Sequence, residues 1–278
     1  MRIEESINYF LHDFKSSLNK SKEFELIEGS TAIIGMGGSG IAGKIIHSID
    51  PNVKVFSDYA SNVNLTNIDN LILVSYSGNT EEVLSYIHNK NIKFIITSGG
   101  KLLQFAKEKS IPYVLLKSNY QPRAALPMIL PILSKLTSKR AFERIKKDIE
   151  QFTPKLFNIS LEEPLVIYGY EIYKGIAYRW KTQLNENAKF MAFYNEIPES
   201  NHNEIEVINN IICVGKAKHE RIKKRIQFLI NEFNVYYIDE ENLINLIYMG
   251  DVLSLNLSKK DPNKLYYIPK LKEFLKGL

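Results

Sequence analysis

Cysteine is almost absent. One residue, Cys213, serves the whole 278-residue chain, so neither an internal disulfide nor a cysteine-built zinc cluster can form. It lies in the apolar run Ile211-Ile212-Cys213-Val214, which reads as a buried strand and not as the setting of a nucleophile. Long apolar runs are missing as well. The best candidate, 124–133, is broken by Pro127 and Pro131 and falls short of the roughly 18–20 residues that a membrane span needs. Glu4, Glu5 and Asp13 interrupt any signal-peptide pattern at the N-terminus. Together these absences predict a cytoplasmic protein with no membrane partner. Charge imbalance is slight, at +5. The basic clusters at 139–147 and 216–225 have helical spacing with Glu or His interspersed, which suits solvated helix faces better than a nucleic-acid surface. Histidine is scarce too. Of five, His12, His47, His88 and His219 sit in polar helix-like stretches, which leaves His202 as the one in a setting of its own.

What is present is a core-forming α/β pattern. Hydrophobic residues make up 45% and charged residues 24%, enough to bury a core without cross-links. Apolar positions Ile7, Phe10, Leu11, Phe14 and Leu18 give residues 1–30 a helical period. Short Ile- and Val-rich runs then predict strands at 31–34, 53–56, 71–74, 94–97 and 113–116, of the kind buried on both faces of a parallel sheet. Helices are expected at 40–49, 80–88, 102–109 and 124–137, with a polar connecting helix over 138–152. A second α/β pattern follows Pro154 and Pro164. Its strands are expected at 165–168, 211–214 and 235–238, its helices at 173–184, 219–233 and 242–258, and a final short helix at 269–278. The fold expectation is thus two α/β domains, 1–150 with the N-terminal arm and 151–278 with the C-terminal helix.

Two small-residue loops each follow a predicted strand and run into helix-like sequence. The first is Gly35-Met36-Gly37-Gly38-Ser39-Gly40-Ile41-Ala42-Gly43; the second is Ser75-Tyr76-Ser77-Gly78-Asn79-Thr80-Glu81-Glu82. The first matches the dinucleotide fingerprint, and Asp58, 23 residues after Gly35, falls near where a ribose-binding acid belongs. Glycines after a first strand also serve any anion at a helix N-terminus. The second loop favours a phosphate monoester, because Ser75, Ser77 and Thr80 add three hydroxyls beside backbone N–H groups at a helix start, and Ser39 adds a fourth. Taken alone, Ser77-Gly78-Asn79-Thr80 is equally an ordinary turn and N-cap.

Candidate chemistry lies further along. Gln183-Leu184-Asn185-Glu186-Asn187-Ala188-Lys189 ends an apolar helix, and His202 follows Glu186 by sixteen residues within Asn201-His202-Asn203-Glu204. A carboxylate and a histidine in amide-rich stretches suit acid/base work, although a helix end and a loop account for the same letters. Arg123, in Gln121-Pro122-Arg123-Ala124-Ala125-Leu126-Pro127, stands at a strand-to-helix junction. There a fixed guanidinium can stabilise a developing oxyanion or form a salt bridge.

In that order, the two loops and the stretches Pro-Arg-Ala-Ala-Leu-Pro, Asn-Glu-Asn-Ala-Lys and Asn-His-Asn-Glu resemble the bifunctional phosphoglucose/phosphomannose isomerase family over nearly the whole chain. The stretch around Glu186 is also similar to the corresponding site of conventional phosphoglucose isomerases. The resemblance implies two sugar-isomerase (SIS) domains, each a parallel sheet flanked by helices, and interconversion of glucose 6-phosphate and mannose 6-phosphate with fructose 6-phosphate, with no metal or redox cofactor. It implies that Ser39, Ser75, Ser77 and Thr80, with the Gly38 backbone, hold the phosphate. Glu186 is the implied base between C2 and C1, Arg123 the stabiliser of the cis-enediolate, and His202 the ring-opening residue, reaching in from the neighbouring subunit of a homodimer. A C-terminal lysine also belongs to the implied site; Lys272 is the best match, with Lys270 and Lys276 close in register. An isomerase of another sugar phosphate, a non-catalytic sugar-phosphate sensor and an NAD-dependent dehydrogenase are the competing readings. Regulators on this fold carry a DNA-binding module, for which residues 1–30 are too short.

Overall fold

Runs of Ile, Leu and Val bounded by Gly, Asn and Pro become strands, and the central strands of each sheet are buried from water. The computed structural model describes residues 3–156 and 159–258, and the chain divides into two units, Met1–Gln151 and Phe152–Leu278.

In the first unit, helices α1 (Ile3–Asn8) and α2 (Phe10–Lys20) form the arm. Phe10 and Phe14 pack edge to face on α2, with ring centroids 4.9 Å apart. Then come β1 (Thr31–Gly35), α3 (Gly37–Ile49), β2 (Lys54–Phe56), β3 (Asn70–Ser75), α4 (Glu81–Leu84), β4 (Ile92–Thr97), α5 (Gly100–Glu108), β5 (Tyr113–Leu115), α6 (Leu126–Thr137) and α7 (Lys139–Glu150). The five strands form one parallel sheet in the order β2-β1-β3-β4-β5. β1 and β3 are buried along their whole length. The polar helix α7 is capped by Ser138, whose Oγ accepts the Ala141 amide at 3.1 Å and donates to Asp50 at 2.6 Å. α2 is fastened to α6 by the Ser17 hydroxyl, which donates to the Met128 carbonyl at 2.8 Å.

The second unit contains β6 (Leu165–Gly169), α8 (Lys174–Gln183), β7 (Ala192–Glu196), β8 (Asn210–Val214), α9 (Glu220–Glu232), β9 (Asn234–Ile238) and α10 (Leu243–Ser258). Its sheet is parallel throughout, in the order β7-β6-β8-β9. Helix α10 is apolar nearly all round and buried, as a core helix must be. Its Asp251 receives Arg179 Nε at 3.0 Å, Arg179 Nη2 at 2.7 Å and Gln183 Nε2 at 2.9 Å, all from the end of α8. A buried carboxylate is tolerable only with such saturation. Cys213 is fully buried in β8, and burial pushes its thiol up to about 12, which makes it inert.

The parallel α/β architecture matches the expectation from the strand-like runs. Three details differ. Helical turns of the arm stop at Glu23, and 24–30 is extended or irregular. The expected helix 80–88 is a single α-turn, Glu81–Leu84, followed by turns, because Ser85 bonds back to the Glu82 carbonyl at 2.6 Å and takes the Ala60 amide at 2.9 Å. Strand β7 was not expected at all. The expected final helix at 269–278 lies outside the described residues. Among the described residues no helix is long and apolar enough to cross a membrane.

Candidate active site

The first sheet reverses its direction of growth at β1: β2 lies on one side and β3 on the other. Where neighbouring strands send their connections apart, a crevice opens at the carboxyl ends, and ligands of parallel sheets bind there. Gly35 at the end of β1 pairs with Val74, so the two small-residue loops leave the sheet side by side.

The loops are tied together. Ser39, in the first turn of α3, is buried, and its Oγ accepts the Tyr76 amide at 3.1 Å. In the second loop the Ser75 and Thr80 hydroxyls lie 2.8 Å apart. Ser75 Oγ also accepts the Gly78 amide at 3.1 Å, and Ser77 Oγ accepts the Asn79 amide at 3.2 Å. Gly78 turns with φ of 67°, and a Cβ there would collide with the Gly99 carbonyl, so only glycine can make this turn. Ser77 is exposed and Thr80 and Gly38 are half-buried, which gives the crevice a polar, accessible floor. Four hydroxyls and the N-terminus of the thirteen-residue α3 suit an oxyanion.

Arg123 belongs to the same place. It sits in a 3₁₀ turn, Pro122–Ala125, entering α6, and is only 6% exposed. A Cβ on Gly38 would stand 2.7 Å from Arg123 Cα and 3.0 Å from the Pro122 carbonyl. The first loop and the arginine turn are therefore in backbone contact. We expect Gly38→Ala to cost about 1–3 kcal/mol, the range for overpacking, and to lower kcat by moving the Pro122–Arg123 backbone; thermal melting and steady-state kinetics read the two effects separately.

In the second unit Glu186 lies on one turn of π-helix, Leu184–Ala188, that ends α8. Such turns insert an extra residue and re-aim side chains, often at functional sites. The flanking residues are pinned: Asn185 Nδ2 donates to the Phe190 and Ala192 carbonyls at 2.8 and 3.1 Å, and Asn187 Nδ2 to Ser254 Oγ at 2.9 Å. Lys189, in the left-handed region at φ 53°, closes the turn with its Nζ on the Glu186 carbonyl at 2.7 Å. Glu186 is thus half-buried on a rigid platform just before β7 begins.

His202 is exposed on a 3₁₀ turn, Glu199–His202, just after β7 ends. The Asn201 beside it accepts Arg225 Nη1 at 3.0 Å. Glu186 precedes and His202 follows β7, a five-residue strand about 13 Å long. Lys272 lies outside the described residues.

The corresponding crevice of the second unit is filled by the protein itself. Glu171, at φ 48° after β6, accepts the Lys218 and His219 amides at 3.1 and 2.8 Å, just before α9. Its carboxylate takes the position an anion would seek at that helix start. Tyr170 fills the gap beneath, its hydroxyl donating to the Gly215 carbonyl. Sequence reading missed this asymmetry, for which the acid directly after an apolar strand is the only local signal. As for the dinucleotide reading, Asp58 turns back on its own loop, accepting the Tyr59 amide at 2.7 Å and Asn62 Nδ2 at 3.0 Å.

Residues 150–275 match the model of the bacterial phospho-glucose isomerase C-terminal SIS domain. A bifunctional phosphoglucose/phosphomannose isomerase of Thermoplasma acidophilum is 31% identical, over 94% of this chain and 97% of the relative. A D-glucosamine-6-phosphate 4-epimerase of Sulfolobus acidocaldarius is 29% identical, over 87% and 88%. Among solved structures, tagatose-6-phosphate ketose/aldose isomerase from Escherichia coli superposes with a TM-score of 0.64 at 15% identity, covering 96% of this chain and 95% of that one, a likeness of fold. With a hydroxyl-rich crevice in the first unit, a sugar-isomerase domain in the second and this identity over almost its full length, the chain belongs to the bifunctional phosphoglucose/phosphomannose isomerase family.

Proposed function

We propose that the protein is an aldose–ketose isomerase that interconverts glucose 6-phosphate and mannose 6-phosphate with fructose 6-phosphate. The observation that carries this reading is the crevice at β1 and β3, where two hydroxyl-bearing loops and a buried arginine meet.

In this reading the phosphate is held by Ser39, Ser75, Ser77 and Thr80 with the Gly38 amide. Binding energy from this remote group is available to orient the reacting carbons. The Glu186 carboxylate takes the proton from C2 of the open-chain aldose. The C2–H electron pair becomes the C1=C2 bond and the aldehyde oxygen becomes an oxyanion. Arg123 stabilises that cis-enediolate. Return of the proton to C1, with transfer of the O2 proton to the O1 oxyanion, gives the ketose. Glucose and mannose phosphates differ only at C2, so both lead to the same enediolate and differ in the face from which C2 is deprotonated. The chemistry is proton transfer alone and draws on no metal or redox cofactor.

His202, with Lys272, opens the sugar ring. The histidine of a working site comes from a neighbouring copy, so that the active form is a homodimer; the places of Glu186 before β7 and His202 after it support this reading. The self-filled second crevice supports one phosphate site per chain, in the first unit. A single buried cysteine and a mild surface charge fit a cytoplasmic enzyme that binds neither membrane nor nucleic acid.

The epimerase relative sets the sharpest alternative. Purified enzyme offered fructose 6-phosphate and, separately, glucosamine 6-phosphate is expected to convert the first to aldose phosphates and leave C4 of the second unchanged. Inversion at C4 with no turnover of fructose 6-phosphate would replace the isomerase reading.

A further inference from the structure

Tyr76 has more bonds to the crevice than any phosphate-loop residue needs. Its amide donates to Ser39 Oγ at 3.1 Å, and its carbonyl accepts the Ser98 amide at 2.9 Å and the Ser98 hydroxyl at 2.6 Å. Its side chain is buried and runs away from the loop. The hydroxyl donates to the Lys117 carbonyl at 2.8 Å and accepts the Tyr120 amide at 2.8 Å. One phenol thus fixes both ends of the segment 117–120, and Arg123 follows three residues later.

A second anchor holds the same segment from outside. Asp13, on α2 and 2% exposed, accepts Lys117 Nζ at 2.9 Å and the Tyr120 hydroxyl at 2.6 Å. Burial, with the Asp13 carboxylate beside it, raises the Tyr120 phenol well above its ordinary value, and it stands as a donor to Asp13. On the other side Gly38 abuts the Arg123 backbone. Both phosphate loops therefore brace the arginine turn, the first by backbone contact and the second through the Tyr76 ring.

We infer that Tyr76 is a positioning residue: through its hydroxyl it carries the geometry of the phosphate loop to the Lys117–Tyr120 segment and so sets the Arg123 guanidinium against the enediolate. This inference rests on the isomerase reading, and nothing in the motif itself requires the ring, since the loop's phosphate-facing groups are hydroxyls and amides. Tyr76→Phe keeps the ring and the three backbone bonds and deletes only the tether.

The tests are steady-state kinetics in both directions and the binding of two probes, inorganic phosphate for the cradle and a five-carbon aldonate phosphate for the enediolate. A misplacement of about 1 Å can cost on the order of 10²-fold. We expect Tyr76→Phe to lower kcat by about 10–10²-fold and to weaken the aldonate in proportion, with KM and phosphate affinity changed less than about threefold. Asp13→Asn, which retains an acceptor for Tyr120 but loses the charge facing Lys117, is expected to show a smaller effect of the same pattern. In an Arg123→Ala background the Tyr76 change should cost nothing more, because residues that act through one another are not additive.

A Tyr76→Phe enzyme with unchanged kcat would overturn the inference, as would the same kcat loss in the presence and absence of Arg123. A fall confined to melting temperature and phosphate affinity would also overturn it, since that marks a merely structural tyrosine. If wild type isomerises no hexose phosphate, both this inference and the isomerase reading fall.

Discussion

Glu186→Gln is expected to abolish most turnover while leaving the protein folded and able to bind its substrate. General acid–base catalysis by a placed side chain contributes about 10²–10⁴-fold, and kcat should fall by that much. The local structure makes the test clean. The π-turn is held by Asn185, Asn187 and the Lys189 ammonium, which bonds to the Glu186 backbone carbonyl. Glutamine keeps the shape and loses the basicity. A change in KM beyond a few fold would mean that the carboxylate binds ground-state substrate. A variant within tenfold of wild type would remove Glu186 from the role of base.

Arg123→Ala is expected to lower kcat by about 10²–10³-fold, the scale for losing one donor to a developing oxyanion. KM should move little, because the phosphate cradle is built from other residues. The backbone of the turn is held by Gly38, by the Pro122–Ala125 turn itself and by the Tyr76 tether to 117–120, so the cradle keeps its shape. Arg123→Lys should recover only part of the loss, since a lysine offers a point charge in place of a planar fork. A loss confined to KM would mean that the guanidinium contacts substrate equally in ground and transition states. Melting temperature measured on the same preparations separates lost catalysis from the destabilisation that removing a buried cation brings.

Much of the first unit is legible in the sequence. The runs ending at Gly35 and Ser75 are apolar on both faces, which only a covered parallel sheet explains, and the loops after them are rich in residues that serve anions. Their adjacency is a tertiary fact that follows from the strand order. The second unit is less legible. β7 is an edge strand whose Phe193 is exposed and whose last residues are Asn195 and Glu196, so it lacks the buried, apolar signature of its neighbours. The aromatic run Ala192-Phe193-Tyr194 is the signal that could have revealed it. Missing that strand also hid the placement of Glu186 and His202 at its two ends. No local pattern announces a π-turn, because it depends on Asn187 reaching Ser254, 67 residues away. Tyr76 reads as one aromatic among hydroxyls, and its reach to Lys117 and Tyr120 exists only in the fold.

The most direct measurement is the product spectrum from fructose 6-phosphate, with wild type and Glu186→Gln assayed side by side and glucose 6-phosphate and mannose 6-phosphate quantified separately. The assignment of Glu186 as the base of a hexose-phosphate isomerase requires both aldose phosphates from wild type and neither from the variant. Wild-type enzyme that binds the ketose phosphate but forms no aldose phosphate would contradict it.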